Sequence, residues 1–142
     1  MTQIAEHPQN EREKVAGWRL HVLIEAGYPV PLAERLARTI AEIVNDKGGT
    51  ELVALDVRVL VGYTDFLVIC TARNERQAKA IHDEVHHRLK RDGRLPARVE
   101  GEREAEWLLA DYLDCILHVF TPETRERYRL EVLWGEAEQL DL

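Results

Sequence analysis

The stretch FLVICT at residues 66–71 constrains the fold most. Side chains alternate between the two faces of a strand, so an unbroken apolar run there has to be covered on both sides. The next segment fits a crossover. Asn74 and Gln77 have capping-box spacing, and Ala78, Ile81, Val85 and Leu89 recur at helical intervals up to Gly93, which predicts a helix over 75–92. ARVE at 97–100 then reads as a strand. The step from 65 to 100 is therefore a strand–helix–strand unit of the kind that joins parallel strands.

The remaining elements are read by the same periodicities. LVALDV at 52–57, WLLADYL at 107–113 and CILHVF at 115–120 are strands, the last two separated by a tight turn at Leu113-Asp114. Thr121 as N-cap, with Pro122 in the first helical position and Glu123 beside it, starts a final short helix carrying Arg125, Tyr128 and Trp134, the last packed in the core. At the other end, residues 1–10 lack apolar periodicity. Val15, Trp18 and Val22 predict a helix from about residue 10 to Gly27, and Leu32, Leu36, Ile40 and Ile43 predict a second, closed by Gly48-Gly49. The chain of 142 residues is the size of one ordinary domain. These signals give the order ααββαβββα: an α+β fold with a mixed five-stranded sheet and packed helices, preceded by an N-terminal helical hairpin.

Charge narrows the choice of partner. The net charge is −7, and residues 100–142 hold 12 acidic side chains against 4 arginines. That region repels phosphates, so little direct nucleic-acid contact is expected, whereas a basic protein is attracted. No run approaches the ~20 apolar residues of a membrane span, and the N-terminus is polar and acidic, so a cytoplasmic protein without membrane contact is expected. Cys70 and Cys115 sit inside apolar runs and read as small buried hydrophobes.

The sequence carries no recognisable catalytic constellation. There is no Gly-rich phosphate loop, nucleophile elbow or Cys-x-x-Cys, so neither cofactor nor metal is expected. His82 and His86 stand four apart, but the apolar residues already occupy the inner face of their helix, and the histidines are expected on a solvated flank. Asp111 and Asp114 loosely suggest the magnesium carboxylates of a nucleotidyltransferase, whose topology this pattern resembles. Their spacing of three across a turn does not point them the same way. An enzyme using a nucleotide and magnesium is the alternative to a binding module. His118 is expected to be hydrogen-bonded at the sheet rather than a general base.

What remains is an aromatic and acidic cluster: Glu100, Glu102, Trp107, Asp111, Tyr112, Asp114, His118 and Tyr128. Alternation along WLLADYL puts Trp107, Leu109 and Asp111 on one face and Leu108, Ala110 and Tyr112 on the other, the second being the face that a helix covers. Trp107 is then a tryptophan facing outward among carboxylates, an arrangement suited to a basic protein surface.

The segments TDFLVICTARNERQAKAIHDEV, ARVEGEREAEWLLADYLDCILHVF and ETRERYRLEVLWG closely resemble the ribosomal silencing factor family, also called Iojap-like proteins. The resemblance runs from about Ala33 to Gly135. It rests on Glu100-Gly101, Trp107, Asp111-Tyr112, Asp114, His118-Val119, Arg125, Tyr128 and Leu133-Trp134 in this order. Ala105 and Ala110 depart from it, standing where many members have glycine and an aliphatic residue respectively. The resemblance implies a non-enzymatic factor that binds the large ribosomal subunit at ribosomal protein L-fourteen, blocks joining of the small subunit and lowers translation. It also implies a link to large-subunit assembly. Residues 31–142 would form that domain, and residues 1–30 an extension with one helix. That extension is either a lineage-specific addition or an extra dimerisation element, which leaves a homodimer open.

Overall fold

A computed structural model describes residues 32–142. The helix expected over 10–27 lies outside the described residues, so of the N-terminal hairpin only the second helix, found at Leu32–Asp46, is described. The elements are α1 (Leu32–Asp46), β1 (Thr50–Asp56), β2 (Phe66–Thr71), α2 (Glu75–Arg91), β3 (Arg98–Glu100), β4 (Trp107–Asp111), β5 (Cys115–Phe120), α3 (Pro122–Tyr128), α4 (Leu130–Leu133) and β6 (Glu138–Gln139). The strands form one mixed sheet in the order β3-β4-β5-β2-β1-β6. This is the expected α+β architecture with one strand more. The sixth, β6, pairs only Leu55 and Asp56 of β1 and is too short to leave a periodic signal.

The crossover takes an unforeseen route. β2 and β5 are parallel neighbours, β4 is antiparallel to β5, and β3 is antiparallel to β4. By these pairings β3 does run parallel to β2, as expected of a crossover. It lies at the sheet edge, however, and the β4–β5 hairpin fills the gap between them.

Both faces of the central strands are covered, which accounts for their apolar runs. Phe66, Val68 and Cys70 of β2, with Cys115, Leu117 and Val119 of β5, pack with Ile40 and Val44 of α1 and with Ile81 and Val85 of α2. On the other face Leu67, Ile69, Ile116 and Phe120 pack with Val57 and Val61 of the β1–β2 connection and with Leu130 and Trp134 of the C-terminal segment. Each such buried side chain contributes about 1.5–3 kcal/mol. Trp134 is only half-buried there. Both cysteines are free and buried, as anticipated. Burial pushes the Cys70 thiol up to about 12, against the lowering influence of Arg125, and raises Cys115 as well.

The α2 cap forms with a variation. Asn74 Oδ1 accepts from the Gln77 amide at 2.8 Å, but the Gln77 side chain accepts from Arg73 N at 2.7 Å rather than from its own cap residue. Its amide group donates to the carbonyls of Lys47 and Gly48, tying the end of α1 to the start of α2. His82 corrects an expectation. It is buried at 5 % exposure, not on a solvated flank, while its ring lies 6.2 Å from that of half-buried His86. No helix among the described residues is long and apolar enough to cross a membrane.

Candidate functional site

The alternation expected in WLLADYL is the alternation found: Leu108, Ala110 and Tyr112 join the helix-covered core, while Trp107 and Leu109 pack on the opposite face. Antiparallel register sets Trp107 opposite Phe120 and Leu109 opposite His118. Trp107 therefore lies diagonal to His118, and its indole N–H donates to His118 Nδ1 at 3.0 Å. Burial lowers the His118 pKa from 6.5 to about 4, so the imidazole is neutral near pH 7. A neutral ring accepting at Nδ1 carries its proton on Nε2. The Trp107 ring also stands 5.0 Å from Phe120 and 4.6 Å from Tyr128, within the range of favourable aromatic pairs.

Tyr128 reaches that position because α3 folds back over the sheet. Arg125 pins the helix: Nη1 donates to Thr71 Oγ1 at 2.9 Å, and Nε donates to the Glu131 carboxylate at 3.2 Å. Arg129 then ends α3 in the left-handed region at φ 44°, splitting the expected single helix into α3 and α4.

Gly101 places the start of β4. Its φ is +84°, and a methyl group there would lie 2.0 Å from the Trp107 carbonyl oxygen. Four residues later Ala105 has φ 59°, where glycine is the less strained choice, and its N–H donates to Gly101 O at 2.9 Å.

Among the carboxylates, Glu100 and Asp111 flank one cation. Arg98 Nε lies 3.0 Å from Glu100, and its Nη2 lies 3.8 Å from Asp111. Asp111 also accepts from the Leu113 amide at 2.8 Å, holding the hairpin turn. Arg98 was missed by sequence reasoning, although its position two residues before Glu100 on β3 places both side chains on one face. Glu102 is exposed in the loop after β3, and half-exposed Asp114 sits in the β4–β5 turn. Trp107 and Asp111 stand at opposite ends of β4, about 13 Å apart at the usual strand rise.

Three expected site residues take other places. Tyr112 lies on the helix side with 1 % of its surface exposed, so a partner on the outer face cannot reach it; burial pushes its phenol up to about 12. His118 is hydrogen-bonded at the sheet, as expected, but it is buried beneath Trp107 instead of lying on the outer surface. Trp107 itself is half-buried rather than fully outward, because exposed Tyr128 covers part of it. Asp111 and Asp114 belong to no cluster of three or more metal-ligating side chains; none exists among the described residues.

The fold and this face define a small α+β domain that presents an aromatic sheet surface edged by carboxylates. The family profile described as "Ribosomal silencing factor during starvation" matches residues 31–142. The chain is 34% identical over 109 residues to the ribosomal silencing factor RsfS of Halalkalibacterium halodurans, an alignment covering 77% of this chain and 93% of that one. It is 29% identical over 101 residues to mouse "Mitochondrial assembly of ribosomal large subunit protein 1", covering 67% of this chain and 43% of the mouse protein. A crystal structure of a Chromobacterium violaceum protein is similar with a TM-score of 0.71 and 30% identity, covering 74% of this chain and 88% of the other. The chain belongs to the ribosomal silencing factor family.

Proposed function

We propose that this protein is a ribosomal silencing factor that binds the large ribosomal subunit at ribosomal protein L-fourteen and so blocks joining of the small subunit and represses translation. The observation that carries the reading is the arrangement at β4: Trp107, oriented by neutral His118, lies beneath exposed Tyr128, with Glu100, Glu102 and Asp111 along the edge. An aromatic pair supplies buried area, and carboxylates around it orient a basic partner. The names borne by the relatives, a silencing factor and a large-subunit assembly protein, point the same way. The factor acts by occupying a surface, so binding needs no nucleotide or metal, and it acts in the cytoplasm.

The test is co-sedimentation with purified subunits. The protein should travel with large subunits and not with small subunits or joined ribosomes. Tyr128→Ala should weaken that binding by about 2 kcal/mol, a common hot-spot cost, while the chain stays folded at the binding temperature with no more than the roughly 0.5–1.5 kcal/mol of the Trp107 pair lost from stability. Equal binding to joined ribosomes, or a Tyr128→Ala protein that binds and inhibits joining normally, would sink the proposal.

A further inference from the structure

A second surface, on the same sheet face as Trp107 but at its β1 side, is built by the β1–β2 connection and α4. Val59 and Leu60 are 56% and 39% exposed, and Val132 and Leu133 are 64% and 66% exposed. They lie along two adjoining hollows of about 380 and 210 Å³ that share Leu60 and Glu136. The larger hollow is lined by Val132, Leu133 and Trp134 and the smaller by Val59, Ala137 and Glu138. Large aliphatic side chains gathered at a concave surface mark a contact site more often than the same side chains scattered singly.

The local backbone holds these side chains outward. Leu60 N and Val61 N both donate to Val57 O at 3.0 Å, a tight turn that buries Val57 and Val61 and leaves the two residues between Arg58 and Val61 facing out. Arg58 cannot swing over them. It is held in a buried bidentate pair with Asp56, at 3.0 and 2.7 Å, and lies 4.9 Å above the Phe66 ring. On α4, Leu130 and Trp134 pack inward while the Arg125–Glu131 bond fixes the first turn, so Val132 and Leu133 face out. The surface is thus preformed, which lowers the entropy cost of binding.

Charge selects the occupant. Among the lining residues Asp56 is already neutralised by Arg58, which leaves exposed Glu136 and Glu138 as the net charge, with no lysine or arginine in the linings. A second copy would bring like charges together, and a nucleic acid or anionic lipid would be repelled. We infer that this hollow is a docking surface for a cationic segment of a protein partner, which inserts an aliphatic side chain between Leu60 and Leu133 and sets lysine or arginine against Glu136 and Glu138. The inference does not depend on the ribosomal reading of the Trp107 face.

Calorimetric titration of the full chain tests it. One probe is a synthetic amphipathic helix with leucines on one side and lysines on the other; the second has glutamates in place of the lysines. The leucine–lysine peptide should bind at least tenfold more tightly than its acidic counterpart. Leu60→Ser with Leu133→Ser should weaken it tenfold or more, as should Glu136→Lys with Glu138→Lys. All four positions are at the surface, and thermal unfolding checks that the variants fold. Tyr128→Ala, which reports on the Trp107 site and does not line the hollow, should bind the peptide as the parent chain does. Indifference to both double variants, or equal binding of the two peptides, would overturn the inference. So would self-association of the parent chain that Leu133→Ser abolishes, since the occupant would then be a second copy.

Discussion

Replacing His118 with asparagine removes a titrating group while keeping an acceptor for Trp107, because the amide oxygen can stand where Nδ1 stood. In the folded chain burial holds the imidazole pKa down at about 4; unfolded, it returns to 6.5. The unfolded state therefore takes up the proton first as the pH falls. Stability tied to this group is fully present above pH 6.5 and is lost as the pH drops through the window down to about 4. With these two values the linkage relation gives a loss of about 2 kcal/mol between pH 7.5 and pH 5. The asparagine chain should lack this loss while carrying a pH-independent cost of about 1–2 kcal/mol from the missing ring beside Phe120. Urea unfolding of both chains at the two pH values measures it. The parent should be the more stable at pH 7.5, and the difference should shrink by about 2 kcal/mol at pH 5, other groups cancelling in the comparison. Parallel curves would show that His118 titrates alike in both states, and the account of a neutral, buried acceptor would be wrong.

Asp56→Ala should cost about 3–5 kcal/mol in denaturant unfolding by leaving the Arg58 guanidinium buried without its carboxylate, and Asp56→Leu with Arg58→Met should recover most of it. Gly101→Ala should destabilise by about 3 kcal/mol or more, since the methyl meets the Trp107 carbonyl and the backbone is left-handed; the Trp107 indole N–H resonance reports the accompanying shift. Leu113, exposed and at φ 72°, should gain about 0.5–1 kcal/mol on replacement by glycine, read as a higher Tm.

The parts of the fold legible in the sequence were those fixed by short-range periodicity. The parity of WLLADYL separated Trp107 and Leu109 from Leu108, Ala110 and Tyr112, and the helical spacing of Ala78, Ile81, Val85 and Leu89 defined α2. Parity also placed Tyr112 under a helix, yet its residue type drew it into the proposed contact set; position along the strand was the better guide. Long-range features left no such trace. The insertion of β5 beside β2 depends on pairing across some fifty residues, β6 is made by main-chain bonds of two residues, and the break at Arg129 follows from Arg125 reaching Thr71 and Glu131. His82 resembles a surface residue by its charged neighbours, and only the packing of α2 shows it to be buried.

The threading of β5 between β4 and β2 has a consequence for how the chain comes off its own ribosome. Until Phe120 has emerged, β2 lacks its parallel neighbour, and a nascent chain ending before that point displays FLVICT along an unpaired edge. Uncharged apolar segments with free edges are the ones that join to other chains. Because the central pairing closes a loop of roughly fifty residues, it is also among the slower steps of folding. Chains truncated between Arg91 and Phe120 should therefore aggregate, while chains released after β5 should collapse to the sheet in a single late step.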